Sequence, residues 1–193
     1  KGSFPYCIDT PQTLKGSKVY IYKELRVSEI IELSGGNQHK WENLERTVIT
    51  GATAKGPVFI YGMENRPVNC KDVLVTHLAF ANGTDEEDTD AVWQNNCTNM
   101  VWKNCFFGYA TDENVSHSES SITRIAYIQC LIAHAFETFD GADARRGKGG
   151  LQNDKKANGD KQLAAVNTAF MYNAERNFYS RHSALYYNVV GIS

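Results

Sequence analysis

The sequence has only four prolines in 193 residues and no excess of either charge, with 20 Lys and Arg against 22 Asp and Glu. A near-neutral chain lacks the broad basic field by which non-specific nucleic-acid binders hold phosphates, so no nucleic-acid partner is expected. No apolar run approaches the roughly 18 to 20 residues that span a bilayer, so no membrane partner is expected either. Cysteines are few (Cys7, Cys70, Cys97, Cys105 and Cys130) and none falls in a CxxC pair, which argues against a structural zinc site. Their odd number leaves at least one free thiol in a monomer. Sparse proline with 42% hydrophobic residues argues against wholesale disorder. The chain opens at Lys1 without a signal-like apolar stretch and so reads as mature or trimmed. Three glycosylation sequons, at Asn82, Asn96 and Asn114, are about as many as chance supplies.

What the sequence does contain is short runs of Val, Ile, Tyr, Phe and Trp bounded by Gly, Asn, Asp and Ser, and no convincing long helix. Strands are expected at Lys18–Tyr22, Thr47–Thr50, Val58–Tyr61, Val73–Phe80, Met100–Phe107, Arg124–Ile132, Ala164–Tyr172 and Ala184–Val190. The span 28–44 suits a short helix or an irregular excursion. The glycine-rich, charged span 140–161 reads as a long surface loop.

Several strands resemble one another. Asp72–Phe80, Asn99–Phe107 and Thr123–Leu131 align, with weaker copies at Leu163–Phe170 and Ser183–Val190. One register makes Leu78, Cys105, Cys130, Ala169 and Val189 equivalent, at spacings of 27, 25, 39 and 20 residues. Apart from the long loop, that period points to a β-solenoid rather than a β-sandwich. It allows about seven or eight coils. The preceding positions, His77, Asn104, Gln129, Thr168 and Asn188, would then stack as a polar ladder at one turn. Cys105 and Cys130 fall at one level of adjacent coils and read as small buried hydrophobes, with a bridge between them as the alternative. No spacing supports a bridge from Cys7 to Cys70 or Cys97. Trp93 and Trp102 read as packing residues, and Trp41 has no clear place.

Two charged constellations stand out. Asp85-Glu-Glu-Asp-Thr-Asp90 is followed, 22 residues after Asp90, by Asp112-Glu-Asn-Val-Ser-His117. In a solenoid that spacing places Asp90 and Asp112 on one face, and Asp88 projects to the same side as Asp90 if the stretch is extended. Carboxylates clustered on a rigid sheet suit a hard cation such as Ca²⁺, which takes six to eight oxygens. Asp85–Glu87 reads as a solvated acidic loop. The second constellation is basic, Asn173-Ala-Glu-Arg-Asn-Phe-Tyr-Ser-Arg181, with two arginines leaving the end of a strand.

These residues, taken in order, resemble the pectate lyase family. Gly2–Cys7 resembles its opening segment, and Arg46–Gly56 its "TIxGxTAPG" segment. Lys71–Gly83 resembles "VIIRNLRFRxG", and Asp90–Phe107 resembles "DAIxIxxSxNVWIDHCSF". Ala110–Ser116 resembles the "GTDENLS" turn, Arg124–Ile132 "VTISWCII", Val166–Arg181 "HHNLFAHNxxRNPR", and Ala184–Ser193 the following "NNVIYNW" coil. The resemblance implies an all-β chain, a right-handed parallel β-helix with long surface loops; the length suits one domain over residues 1–193, and a solenoid that stops after its last coil is expected to lack or share its C-terminal cap. It places the calcium carboxylates on Asp88, Asp90 and Asp112. A further aspartate of the family is Ser116 here, and Glu113 is the residue that would substitute for it. The catalytic arginine falls on Arg176 and a substrate-binding arginine on Arg181. The family's lysine has no counterpart around His134–Thr138, which leaves Lys148 as the residue that would reach back to the substrate. The proline between the arginines is Phe178 here, and the paired histidines are Val166 and Asn167.

The implied activity is calcium-dependent β-elimination on a pectate-like polyuronide such as polygalacturonate, by a secreted enzyme. The C5 proton of a uronate is a poor acid because the adjacent carboxylate resists a carbanion. Neutralising that carboxylate lowers the barrier, and a nearby base takes the proton. The departures from the family pattern motivate an alternative: a non-catalytic β-helix that acts as a glycan-binding adhesin or self-assembling structural protein. A β-helix glycoside hydrolase ranks last, since the NTD, GxDD, GHG and RIK signatures are missing. A coil open at the chain's end exposes a sheet edge, which predicts self-association.

Overall fold

The computed structural model describes residues 6–7, 23–33, 38–83, 88–118, 123–136, 147–153, 162–173, 177, 179–181 and 184–189. They contain strands and no helix. Strand β1 (Tyr6–Cys7) lies antiparallel on β2 (Lys23–Arg26). From β2 the chain winds through three faces in repeating order. The first coil continues with β3 (Ile31–Glu32) and β4 (Gln38–Glu42). The next is β5 (Glu45–Thr50), β6 (Phe59–Tyr61) and β7 (Glu64–Val68), followed by β8 (Lys71–Thr76), β9 (Ala79–Ala81) and β10 (Val92–Gln94). Then come β11 (Thr98–Lys103), β12 (Phe106–Gly108) and β13 (Glu113–Ser118), and β14 (Thr123–Ile128), β15 (Leu131–Ala133) and β16 (Lys148–Asn153). The long β17 (Gln162–Met171) crosses two faces, β18 (Tyr179–Arg181) supplies the third, and β19 (Ala184–Val189) closes on β17.

The first face stacks β2-β5-β8-β11-β14-β17-β19, the second β3-β6-β9-β12-β15-β17, and the third β4-β7-β10-β13-β16-β18. Every pairing after β1–β2 is parallel and links one coil to the next, as Thr47↔Val73, Val73↔Met100, Met100↔Ile125 and Ile125↔Leu163 illustrate. This is a parallel β-solenoid, the all-β fold that the repeat predicts.

The interior is a column of aromatic rings. Trp41, Phe80, Trp102, Phe107 and Tyr127 touch in succession, with centroids 5.3 to 6.0 Å apart. Phe80, Trp102, Phe107 and Tyr127 have no exposed surface. Trp41 thus finds its place in the core, whereas Trp93 is half-buried beneath Arg66. A buried polar network threads the same core. Trp102 donates to Gln94 Oε1 (3.1 Å), and Gln94 donates to the Tyr127 hydroxyl (2.8 Å). Gln94 Nε2 and the Tyr127 hydroxyl both lie 2.9 Å from His117 Nε2.

Several corners of the coils are made by residues in the left-handed region. His77, Asn104, Gln129 and Asn167 have φ between 49° and 57° and line one corner. Asn104 Nδ2 and His77 Nε2 are 3.1 Å apart. The expected ladder is therefore present, but its fourth member is Asn167 and not Thr168. Thr168 instead turns inward, where its hydroxyl donates to Tyr127 O and accepts from Cys130 N. The long copy carries one residue's offset from the register read in the sequence. A second corner holds Asn43, Asn69 and Asn96, with Asn96 donating to Asn69 at 2.6 Å. Asparagine suits both corners because its short side chain tolerates αL and bonds its stacked neighbour.

Cys70, Cys97, Cys105 and Cys130 are buried free thiols that donate to backbone carbonyls, as Cys105 does to Lys103 O at 3.3 Å. The alternative bridge between Cys105 and Cys130 is not formed. Two spans depart from their expected form. Residues 28–44 carry β3 and β4 where a helix or excursion is expected. Residues 140–161, expected as loop, contain β16. The glycine at position 149 serves packing, since a Cβ there would stand 2.6 Å from Asn177 O. The expected strand at Lys18–Tyr22 lies outside the described residues. Of the three sequons, Asn82 and Asn114 are fully buried, so only Asn96 presents its amide at the surface.

Candidate metal centre

Four successive strands of the third face carry a charged residue at or just ahead of their start. Glu64 opens β7, Asp90 stands two residues ahead of β10, Glu113 opens β13 and Lys148 opens β16. The parallel register stacks them: Glu113 pairs with Lys148, and Ala91 N donates to Glu113 O at 3.1 Å. Asp112, beside Glu113, joins the column from the preceding turn.

Asp90 is held from several sides. Its Oδ1 accepts the Glu113 N–H at 3.0 Å, and its Oδ2 accepts the Ser116 hydroxyl. Its backbone carbonyl accepts from Asn82 Nδ2 at 2.9 Å, and its N–H donates to Glu64 Oε2 at 3.3 Å. The turn behind it is fixed by Thr111 N and Asp112 N, both donating to Thr89 O at 3.1 Å. Lys148 Nζ donates to Asp112 Oδ1 and lies 3.3 Å from Glu113 Oε1.

The carboxylate oxygens of Asp90, Asp112 and Glu113 lie within 4.8 Å of one another, a buried acidic cluster able to hold a metal ion. The donor set is all oxygen, which suits a hard cation. The cluster also retains unsatisfied capacity. Glu113 Oε1 is buried with no aligned hydrogen bond, and so is Glu64 Oε1 one coil away.

The electrostatics match this geometry. Burial pushes the Glu64 carboxyl up to about 7, against the Asp90 N–H and the Arg66 charge that pull it down. Burial and the neighbouring Asp112 carboxylate raise Glu113 to about 7, while Lys148 opposes them. Asp90 is raised well above the ordinary aspartate value by burial and then by the Glu113 charge, with the Ser116 hydrogen bond acting the other way. Burial disfavours the Lys148 ammonium, but its two carboxylate partners outweigh that and hold its pKa above the ordinary lysine value.

Of the site residues expected from the sequence, the fold brings together Asp90, Asp112, Glu113 and Lys148. Asp88, in the turn ahead of Asp90 with φ 55°, is outside the converging trio. Arg181 lies in β18, with its backbone paired to Asn153, and its side chain is outside the described part. Arg176 and the Asp85–Glu87 loop lie outside the described residues. Ser116 orients Asp90 by its hydroxyl. Glu64 is the residue that sequence reasoning misses. Its signal is spacing: it precedes Asp90 by 26 residues, the same step that separates Thr47 from its partner Val73.

Two aromatic features flank the column. The Arg66 guanidinium lies 3.4 Å above the centre of the Trp93 ring, with Nη1 donating to Gln38. Tyr109, His134 and Tyr172 form a stacked surface series with centroids 5.9 and 5.2 Å apart and planes within 13°. Tyr172 is 70% exposed.

No protein-family model matches the chain, and no curated protein matches it.

Proposed function

We propose that the chain is a secreted, calcium-dependent lyase that cleaves pectate-like polyuronides by β-elimination. The observation that carries this is the convergence of Asp90, Asp112 and Glu113, with Lys148 beside them, on one face of a parallel β-solenoid. Asp90, Asp112 and Glu113 would hold the calcium, with Ser116 and the Glu113 N–H fixing the Asp90 carboxylate. Bound calcium would supply charge neutralisation to a uronate carboxylate and so acidify the proton on its C5. Lys148 and Arg181 would pair with sugar carboxylates, Arg181 through its planar fork. Arg176 would take the C5 proton, the role the family resemblance gives it; the C5–H electron pair would form the C4=C5 double bond as the C4–O glycosidic bond breaks, and the departing oxygen would take a proton from solvent. Arginine stays protonated in ordinary surroundings, so this step requires a local environment that disfavours its charge or a relay through solvent.

The test is ultraviolet detection of the unsaturated product on polygalacturonate with calcium, against the same chain in EDTA and the variants Asp90→Asn and Arg176→Ala. Product from the wild type alone supports the proposal. No product from any of the four overturns it.

A second reading has its own observation. The ammonium of Lys148 already lies against Asp112 and Glu113, an arrangement that offsets part of the cluster's charge without metal and suits a β-helix kept for glycan binding or assembly. Binding of oligogalacturonate with no turnover, in calcium or without it, would select this reading.

A further inference from the structure

The acidic cluster contains a cation of the chain's own. Lys148 opens β16 in register with Glu113, and its side chain is 13% exposed against 4% for that of Glu113. Its ammonium contacts one oxygen of Asp112 and one of Glu113, and among the described residues it makes no bond to Asp90. The third carboxylate of the trio is therefore left to hydrogen bonds from Ser116 and the Glu113 backbone.

The lysine does not exhaust what the cluster offers. Glu113 is 3% exposed, and its Oε1, although 3.3 Å from the ammonium, receives no aligned hydrogen bond from it. Glu64 Oε1 is likewise buried and unpartnered behind Asp90. An ammonium has three donors directed at fixed angles, and a cation that takes six to eight oxygens is not so limited. The ammonium and a divalent ion would draw on the same Asp112 and Glu113 oxygens. Two positive charges at contact distance in a buried site repel strongly, so the two cannot occupy it together.

We propose that Lys148 is an internal counter-cation: it holds Asp112 and Glu113 while the chain is metal-free and leaves them when a divalent cation binds. This rests on the calcium reading of the same cluster. Cation binding is then an exchange, and lysine competition sets the calcium affinity. The released ammonium stays tethered to β16 beside the cluster, where it meets an anionic group of the ligand. Cation binding and recognition of a sugar carboxylate are thereby coupled through one side chain.

The exchange can be read on the wild-type chain. Brief acetylation by a small amine-reactive ester, followed by peptide mass spectrometry, reports each lysine's accessibility in EDTA and in saturating calcium. Lys148 labelling should rise severalfold with calcium, while exposed Lys71 and Lys103 stay constant. Lys148 equally or better protected when calorimetry shows calcium bound overturns the proposal. The variant Lys148→Met gives a second readout. It should bind calcium at least tenfold more tightly than wild type, melt at a lower temperature in EDTA, and regain the difference in calcium. Weaker binding in the variant, or no calcium binding by either chain, overturns the proposal. Calcium exchange without product from polygalacturonate would overturn the lyase reading and leave the exchange standing. Turnover with Lys148 labelling unmoved would do the reverse.

Discussion

The carboxyl of Glu64 gives the most direct check on the electrostatics of the column. It is 3% exposed, one oxygen has no partner, and its pKa rises from 4.5 to about 7. A carboxyl whose folded value is raised keeps its proton in the folded chain after the unfolded chain has lost it. The folded state therefore binds more protons between about pH 4.5 and 7, and stability falls as pH rises through that window. Moving one carboxyl from 4.5 to about 7 corresponds to about 3 kcal/mol. Glu64→Gln keeps the shape and an acceptor for the Asp90 N–H, and it cannot ionise. The variant should match wild type near pH 5 and exceed it by about 1 to 3 kcal/mol near pH 7.5, the lower figure allowing for burial of the amide. Urea unfolding at several pH values in EDTA measures this. Wild-type stability that rises from pH 5 to 7.5, or a variant curve that runs parallel to it, would refute the reasoning. Calcium bound to the neighbouring cluster favours ionised carboxylates, so its stabilising effect should be larger at pH 7.5 than at pH 5.

Asp90→Asn should remove most of the calcium-induced rise in melting temperature, since it deletes the charge that completes the trio; a full rise in the variant would place the ion elsewhere. Phe107→Ala should cost about 3 to 5 kcal/mol in urea unfolding, because the ring is fully buried against Phe80, Trp102 and Tyr127. Asn104→Val should cost about 1 to 3 kcal/mol, because a β-branched residue must adopt φ 53° and the contact with His77 is lost. The thiols of Cys70, Cys97, Cys105 and Cys130 should resist a thiol reagent in the native chain and react fully in denaturant, as peptide mapping would show.

The first face is legible in the sequence because its strands obey a simple rule. Val73, Val75, Met100, Trp102, Ile125 and Tyr127 alternate inward on β8, β11 and β14, and the repeat shows through at coil length. The third face is harder to read. Its inward positions include Asn65, Gln94 and His117, which are buried because they bond one another or the backbone, and no hydropathy pattern marks them. Strand β7, with Glu64, Asn65, Arg66 and Pro67 in five residues, has the composition of a loop. It is a strand because β4 and β10 flank it with parallel ladders.

The sequence by itself determined the solenoid, through a repeat in which each coil is too small to bury its own apolar face and must stack on the next. It also determined that Asp90 and Asp112 belong near one another, since their separation is close to one coil. The tertiary structure decided which carboxylates converge. It placed Glu113 and Asp112 with Asp90, left Asp88 outside that trio, and brought in Glu64 from a coil with no acidic motif of its own. It also drew Lys148 across 36 residues onto Asp112. The physical reason is register: parallel stacking puts residues distant in sequence a few ångströms apart, and only the corner geometry of each coil fixes which ones meet.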